Sequence, residues 1–365
     1  MKVALVHDYL KEYGGAERVL EALHDVFPDA PIYTSVYLPA FLGPHKERFK
    51  NYRVKTSWAQ YIPFKAKLIS PLRLLSPLLF RSFDFSEFDV VITSATGAYF
   101  PNSLQKGKAK LICYCHTPPR YLYGYATARQ WKSHFLLRII GETLNHFLRM
   151  VDFNVSKNVD QYIANSEEVK SRIQKFYRKD AVVIYPPVLF PVQKEISQRE
   201  YFLTGGRLAA AKHVDVIVKA CTELDVPLKV FGKAFAGYGE ALQKDAGKSV
   251  GFLGEVSDEE KYELMRGAKA FLFASEDEDF GITPVEAMGQ GTPVIAYRSG
   301  GVKETVIENK TGLFFDQLNH KSLMEKLKEF DSKKLKSDDC RHQALKFSLK
   351  NFEKNINAIV AGKNN

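Results

Sequence analysis

Two glutamates, Glu278 and Glu286, stand with seven residues between them in the stretch EDFGITPVEAMGQGTPV. Carboxylates at the mouth of a short helix can cap that helix or hold the hydroxyls of a ligand. Thr283, Pro284 and Glu286 fit the first role, as the N-cap, first and third positions of a Thr-x-x-Glu capping box with proline where it is preferred. Glu278 has no such explanation. It lies in the acidic loop SEDEDFG, where like charges repel unless something cationic or rich in hydroxyls meets them. The backbone N–H groups around Phe280, Gly281, Ile282 and Thr283 lie at the helix start, where anions are stabilised. Asp277-Glu278-Asp279 also matches the bare D-x-D pattern of metal-dependent sugar transferases. Three letters in an acidic loop carry little, and no metal site is expected.

Other residues have the same character. In GGRLAAAK, Arg207 follows a strand and Lys212 is five positions on. An arginine fork and a lysine point charge make a clamp for a diphosphate, and equally a pair of surface cations. YGGAER places Gly14 and Gly15 at a helix start after the first strand, a tight turn whose N–H groups can also meet an anion. The spacing is not G-x-G-x-x-G, so no dinucleotide cofactor is indicated. His116 ends a strand ahead of Thr117-Pro118-Pro119. A neutral imidazole there can hydrogen-bond a sugar hydroxyl or the charge developing on it, or serve the core. Cys113 and Cys115 alternate with Leu111 on one strand face, which favours core packing over a metal site, because no second Cys/His cluster completes one.

The elements that must position these residues read as parallel α/β layers. Strands are expected at 2–8, 89–94, 110–116 and 161–166 in the first half, and at 201–206, 228–232, 250–254, 270–275, 292–297 and 312–315 in the second. A helix over 257–268 has a serine cap and acids in its first turn. The proline run VVIYPPVLFPV, residues 182–192, stops helix and sheet alike. Two doubly wound domains are expected, 1–185 and 186–341, their strand ends directed toward a shared cleft. A helical segment over about 342–365 would pack back on the first domain.

Composition bounds the partners. The chain is 45 % hydrophobic and 26 % charged, ordinary globular material, with a net charge of +10. Residues 45–82 hold nine Lys/Arg and one acid, Glu47, among Trp58, Tyr61, Phe64 and aliphatic residues. Residues 129–150 read as a basic amphipathic helix. Basic and bulky apolar side chains together suit an anionic membrane surface. A merely solvated basic face fits as well. Nucleic acid ranks lower, since no helix-turn-helix, zinc-finger or RNA-binding signature is present. The N-terminal apolar run is too short for a signal peptide, and residues 68–80 are too broken by proline and arginine to span a bilayer. A cytoplasmic protein, peripheral at the inner face of the plasma membrane if the basic face binds lipid, is the expectation.

Taken in order, GGRL…K followed by EDFGITPVEAMGQGTPVI resembles the family 4 retaining glycosyltransferases of the GT-B fold. HDYLKEYGGAERVLEAL, CYCHTPPRYLY and ANSEEVKSRIQKFY are similar to the bacterial polysaccharide mannosyltransferases of that family. The resemblance implies two Rossmann-like domains and a nucleotide-sugar donor, with no separate cofactor. Gly15 would approach the donor phosphates and His116 the transferred sugar, while Arg207 and Lys212 hold the diphosphate. Glu278 would take sugar hydroxyls, the backbone from Phe280 to Thr283 sugar and phosphate, and Glu286 the ribose. Val256 would lie by the base, with Asn165 and Ser166 lining the inner cleft. His213 departs from the glycine that many members carry after the lysine. The implied reaction moves a hexosyl group, mannose from GDP-mannose being the named candidate, to a glycan or lipid-linked acceptor in surface-polysaccharide biosynthesis. A nucleotide-sugar epimerase and a non-catalytic nucleotide-sugar-binding protein are the alternatives on the same fold.

Overall fold

The computed structural model describes residues 1–126, 135–191, 199–234 and 237–362, with the backbone alone at 135–140. The chain divides into two compact units. One comprises Met1–Tyr125, Lys132–Pro187 and Leu349–Asn365, and the other Val188–Ser348 with Ala126–Trp131.

The first unit is built on seven strands: β1 (Val3–His7), β2 (Ile32–Thr34), β3 (Val54–Thr56), β4 (Val90–Ala95), β5 (Lys110–Cys115), β6 (Gln161–Ala164) and β7 (Ala181–Val183). They run parallel in the order β3-β2-β1-β4-β5-β6-β7. Both faces are covered, so the strands read as nearly continuous apolar runs. Val91, Cys113, Cys115, Tyr162 and Ala164 face one core cluster, and Leu5, Ile92, Ile112, Tyr114 and Ile163 the other. The two thiols expected in the core are there. Strands β2, β3 and β7 were not foreseen; each has three residues, too few to show a period.

The second unit has β8 (Tyr201–Gly205), β9 (Leu228–Phe231), β10 (Val250–Gly254), β11 (Ala268–Phe273), β12 (Val294–Tyr297) and β13 (Gly312–Phe315), parallel in the order β10-β9-β8-β11-β12-β13. Each sheet therefore winds outward one way and then the other. The direction reverses between β1 and β4 in the first and between β8 and β11 in the second. Open α/β sheets bind ligands at the carboxyl ends of strands flanking such a reversal.

The expected C-terminal segment is two helices, not one. Ser337–Leu345 and Leu349–Val360 are separate, and at the break the Val188 N–H donates to the Phe347 carbonyl at 2.8 Å. Phe352, Ile356, Ile359 and Val360 recur at helical spacing and bury against Ile184 and Tyr114 of the first unit. Of the expected basic helix, Phe135–Ser156 is helical. Residues 129–134 lie outside the described residues, as does the last position, 192, of the proline run.

Candidate functional site

Every residue expected at the site lies at or just beyond the carboxyl end of a strand, or on the helix that follows one. In the first unit, His7 ends β1 and is in register with Ser94 of β4, at the reversal point. His116 follows β5. Its Nε2 lies 2.9 Å from Ser94 Oγ, which lies 3.1 Å from His7 Nδ1. His7 Nε2 lies 3.4 Å from Glu17 Oε1, on the helix Gly15–Val26. The other Glu17 oxygen accepts the Gly14 N–H at 2.8 Å. His7 and Ser94 are fully buried, Glu17 is 5 % exposed and His116 is 9 % exposed. Burial, with His7 alongside, pushes His116 down to about 3, so its imidazole is neutral at working pH.

This unit changes several expectations. The Gly14 N–H is already taken by Glu17, so it does not point at a ligand. Asn165 and Ser166 are buried and serve the scaffold. The Asn165 amide donates to the His116 carbonyl at 3.0 Å, and Ser166 Oγ caps the helix Glu167–Tyr177 by accepting the Val169 N–H at 3.0 Å. They hold the His116 turn in place. Asp8, next to His7 and unsuspected from sequence, is 1 % exposed. One of its oxygens accepts from Thr96 Oγ1 at 2.6 Å, the Tyr99 N–H at 3.0 Å and the Ala98 N–H at 3.2 Å, closing the loop after β4 onto β1. Burial nevertheless holds its carboxyl above the usual range.

In the second unit, Arg207 follows β8 and is exposed. Lys212 ends a short 3-10 turn, Ala210–Lys212. Its ammonium pairs with Glu278 Oε2, which also accepts from Ser275 Oγ at 2.6 Å. The two residues expected to meet different parts of a donor therefore meet each other. His213 sits beside them with φ +46°, in the left-handed region that favours glycine, which explains why a glycine suits that position. Its ring lies 3.5 Å from Glu276. The acidic loop thus meets an imidazole at Glu276 and a cation at Glu278.

Two further residues brace that loop and gave no sequence signal. Gly300 has φ +67°, and a Cβ there would come within 2.2 Å of the Glu278 carbonyl oxygen. The Gly301 N–H donates to that same carbonyl at 2.8 Å. Only glycine permits this approach, so the turn after β12 fixes the backbone of Glu278.

The Thr283 capping box is not formed. Gly281, at φ +89°, is the N-cap, and the helix runs Ile282–Gly289 with no side-chain cap. Thr283 falls in its first turn, and Glu286 is too far along to reach back. Glu286 is instead 3 % exposed and accepts from Lys261 Nζ at 2.8 Å, with the Tyr262 hydroxyl at 3.4 Å. Lys261 is carried by the helix Asp258–Arg266, which has the expected serine cap and first-turn acids, with Glu260 closing a capping box on Ser257. Phe280 is buried with its ring edge-on to Phe347, an anchor for the loop, and Val256 is half-buried between β10 and that cap. Among the described residues, no group of three or more His, Cys, Asp or Glu side chains is placed to hold a metal ion.

The chain can be set beside known proteins on this basis. The family description "Glycosyltransferase Family 4" matches residues 13–188, and "Glycosyl transferases group 1" matches 188–347. An uncharacterized glycosyltransferase of Methanocaldococcus jannaschii is 29 % identical over 174 residues, 47 % of this chain and 50 % of that protein. The alpha-1,3/1,6-mannosyltransferase ALG2 of Dictyostelium discoideum is 24 % identical over 343 residues, 79 % of this chain and 78 % of that one. Among solved structures, the HepE protein of Anabaena with UDP and glucose superposes with a TM-score of 0.73 at 18 % identity, covering 99 % of this chain and 100 % of that one. The sucrose-phosphate synthase of Thermosynechococcus elongatus reaches 0.78 at 16 % identity, covering 99 % of each. Both halves of the chain are matched and both units are parallel-sheet α/β layers: the chain belongs to the family 4 glycosyltransferases, retaining enzymes of the GT-B fold.

Proposed function

We propose that this glycosyltransferase moves a mannosyl group from GDP-mannose to a glycan or lipid-linked acceptor in surface-polysaccharide biosynthesis. The observation that carries the transfer chemistry is the Lys212–Glu278 pair at the reversal point of the second sheet, where Arg207 follows β8. The choice of mannose rests on the similarity to the ALG2 mannosyltransferase.

When a glycosyl–phosphate bond breaks, negative charge collects on the departing diphosphate. Lys212 and Arg207 are the cations assigned to meet it, and no metal ion or further cofactor is invoked. Lys212 leaves Glu278 as the diphosphate arrives, and the freed carboxylate accepts from sugar hydroxyls. Ser275 and the glycines at 300–301 keep Glu278 in place through that exchange. The departing phosphate oxygen takes the acceptor hydroxyl's proton on the face from which the acceptor attacks, which retains configuration. His116, neutral and buried, contacts the sugar.

Membrane association belongs to the same proposal. Tyr61 and Phe64 are 85 % and 80 % exposed, Trp58, Leu74, Leu75 and Leu78 are also exposed, and Lys65, Lys67 and Arg73 lie among them in sequence, with Arg81 just beyond. Apolar side chains set among cations suit an anionic lipid surface. Among the described residues no helix is long and apolar enough to cross a membrane.

Calorimetry with GDP, UDP and ADP tests the donor, with GDP expected to bind tightest. Absence of binding by all three sinks the proposal, and a preference for UDP or ADP removes GDP-mannose. Flotation with anionic against neutral vesicles tests the surface, which is wrong if both recover the protein equally.

A further inference from the structure

We propose that His213 and Glu276 form a latch beside the Lys212–Glu278 pair. The latch stays closed while that pair exchanges partners, and so keeps two segments of the second unit in register. The exchange rests on the function proposed above; the latch itself does not.

The two segments are the turn Ala210–Lys212 after β8 and the acidic loop 276–279 after β11, and these two strands flank the reversal of the sheet. Lys212 and Glu278 join them. That pair has to open when Lys212 turns to a diphosphate and Glu278 to a sugar. The two groups then most need a fixed spacing, and their own contact no longer supplies it. The neighbouring contact is under no such demand. His213 Nε2 lies 3.5 Å from Glu276 Oε2. The Glu276 N–H donates to the Ala211 carbonyl at 3.2 Å, and Ser275 Oγ donates to the same carbonyl at 3.5 Å, so the loop backbone is moored at the same turn. A carboxylate has no proton to give. The imidazole is therefore attracted through an N–H at Nε2 whether the ring is neutral or charged.

The backbone gives the His213 side chain a reason to be there. His213 has φ +46° and Asp277 φ +52°, so a left-handed, non-glycine residue adjoins each member of the exchanging pair. That conformation is costly for a residue with a Cβ and free for glycine. At His213 the side chain that brings the cost is the one that reaches Glu276. Aspartate tolerates the conformation better, and the Asp277 N–H donates to Ser299 Oγ at 3.2 Å, which ties the loop to the turn after β12. His213 and Glu276 are positioning residues, acting through Lys212 and Glu278. Their side chains are 28 % and 44 % exposed, so the latch is a weak contact and its expected effects are small.

Amide exchange on the full-length, ligand-free protein tests the latch. The Glu276 N–H is expected to exchange about three- to fivefold faster in His213→Gly and in Glu276→Ala, the weight of a part-exposed pair. Kinetics with GDP-mannose test its purpose. Both variants should lose about three- to fivefold in kcat. Their affinity for GDP, which has no sugar for Glu278 to hold, should stay within about twofold of wild type. The double variant His213→Gly/Glu276→Ala should lose no more than either single one, because the two side chains act as one contact. His213→Gln keeps an N–H donor and should stay within about twofold of wild type in exchange and in kcat. His213→Gly should melt no lower than wild type, since glycine suits φ +46°. Activity and stability are thus expected to run in opposite order. Wild-type exchange at Glu276 in His213→Gly overturns the proposal. So does wild-type kcat in that variant, a double variant whose loss is the product of the single losses, or a melting temperature that falls in step with kcat. If GDP-mannose is not turned over, the donor assignment fails while amide exchange still decides the latch.

Discussion

At the reversal point of the first sheet the polar groups are buried and hydrogen-bonded in series, from Glu17 through His7 and Ser94 to His116. At that of the second they are ionic and partly open to solvent, with the Lys212 and Glu278 side chains 33 % and 16 % exposed. A buried, hydrogen-bonded series of side chains is costly to rearrange, so it holds geometry. An ion pair near solvent is worth little in itself and can exchange partners cheaply. The first arrangement suits a contact that must be in place before the donor arrives. The second suits contacts that change when a diphosphate enters. The second unit also contains its own control: Lys261 and Glu286 form a pair of the same chemistry, but their side chains are only 9 % and 4 % exposed.

That contrast can be broken most sharply at the control. Lys261→Met removes the cation 2.8 Å from a buried carboxylate. It should cost about 3–5 kcal/mol in urea unfolding. A cost under about 1 kcal/mol would place this pair with the solvent-exposed class and erase the distinction. Lys212→Ala is expected to behave the other way. Its unfolding free energy should stay within about 1 kcal/mol of wild type, since the pair is partly exposed. Its kcat/KM with GDP-mannose should fall about 100- to 1,000-fold, the usual loss of a charge-stabilising group. Normal turnover would mean that Lys212 serves Glu278 alone.

Acidity separates the buried groups of the first unit by sign. Burial, aided by His7, holds His116 at about 3 against an ordinary 6.5. Below 6.5 the unfolded chain binds a proton that the folded one refuses. This contribution to stability is therefore full above about pH 6.5 and is lost as pH falls toward 3. Asp152 has the opposite sign. Burial lifts it to about 7, outweighing the hydrogen bonds it accepts from Tyr123 at 2.7 Å and Tyr177 at 3.2 Å. Its contribution is full below about pH 3.8 and is lost as pH rises through 7. Urea unfolding at about pH 5 and about pH 8 should show His116→Gln gaining on wild type at the lower pH and Asp152→Asn gaining at the higher, by at most about 1.4 kcal/mol per unit of pKa difference. Equal differences at both values would mean that neither group is displaced by burial.

The ionic half of the site was the more legible in sequence. Arg207, Lys212 and Glu278 are charged residues at strand ends, where burial cannot explain them, so their types alone raise the question of a ligand. His7, Ser94 and Glu17 are ordinary-looking polar residues inside strand and helix patterns. What makes them a unit is a register that brings positions 7 and 94 together, which no local pattern carries. Gly300 and Gly301 are similar: two glycines after a strand read as a turn, and only the close approach to the Glu278 backbone gives them a purpose. The long buried strands could be read from their apolar runs, but β2, β3 and β7 pair too few residues to show any.

The smallest expected effect tests the one motif whose local logic failed. Thr283, Pro284 and Glu286 satisfy every sequence rule for a capping box, yet Gly281 begins the helix earlier by taking φ +89°, and Glu286 turns to Lys261. Tertiary burial has outbid the local hydrogen bond, because a carboxylate buried at Glu286 needs a cation more than the cap needs a side chain. Thr283→Ala should therefore change the unfolding free energy by less than about 0.5 kcal/mol, the range of a position outside any special contact. A working cap would cost about 0.5–2 kcal/mol. A measured loss above about 1 kcal/mol would restore the capping box. It would also release Glu286 from Lys261, and the contrast between the two glutamates would then rest on exposure alone.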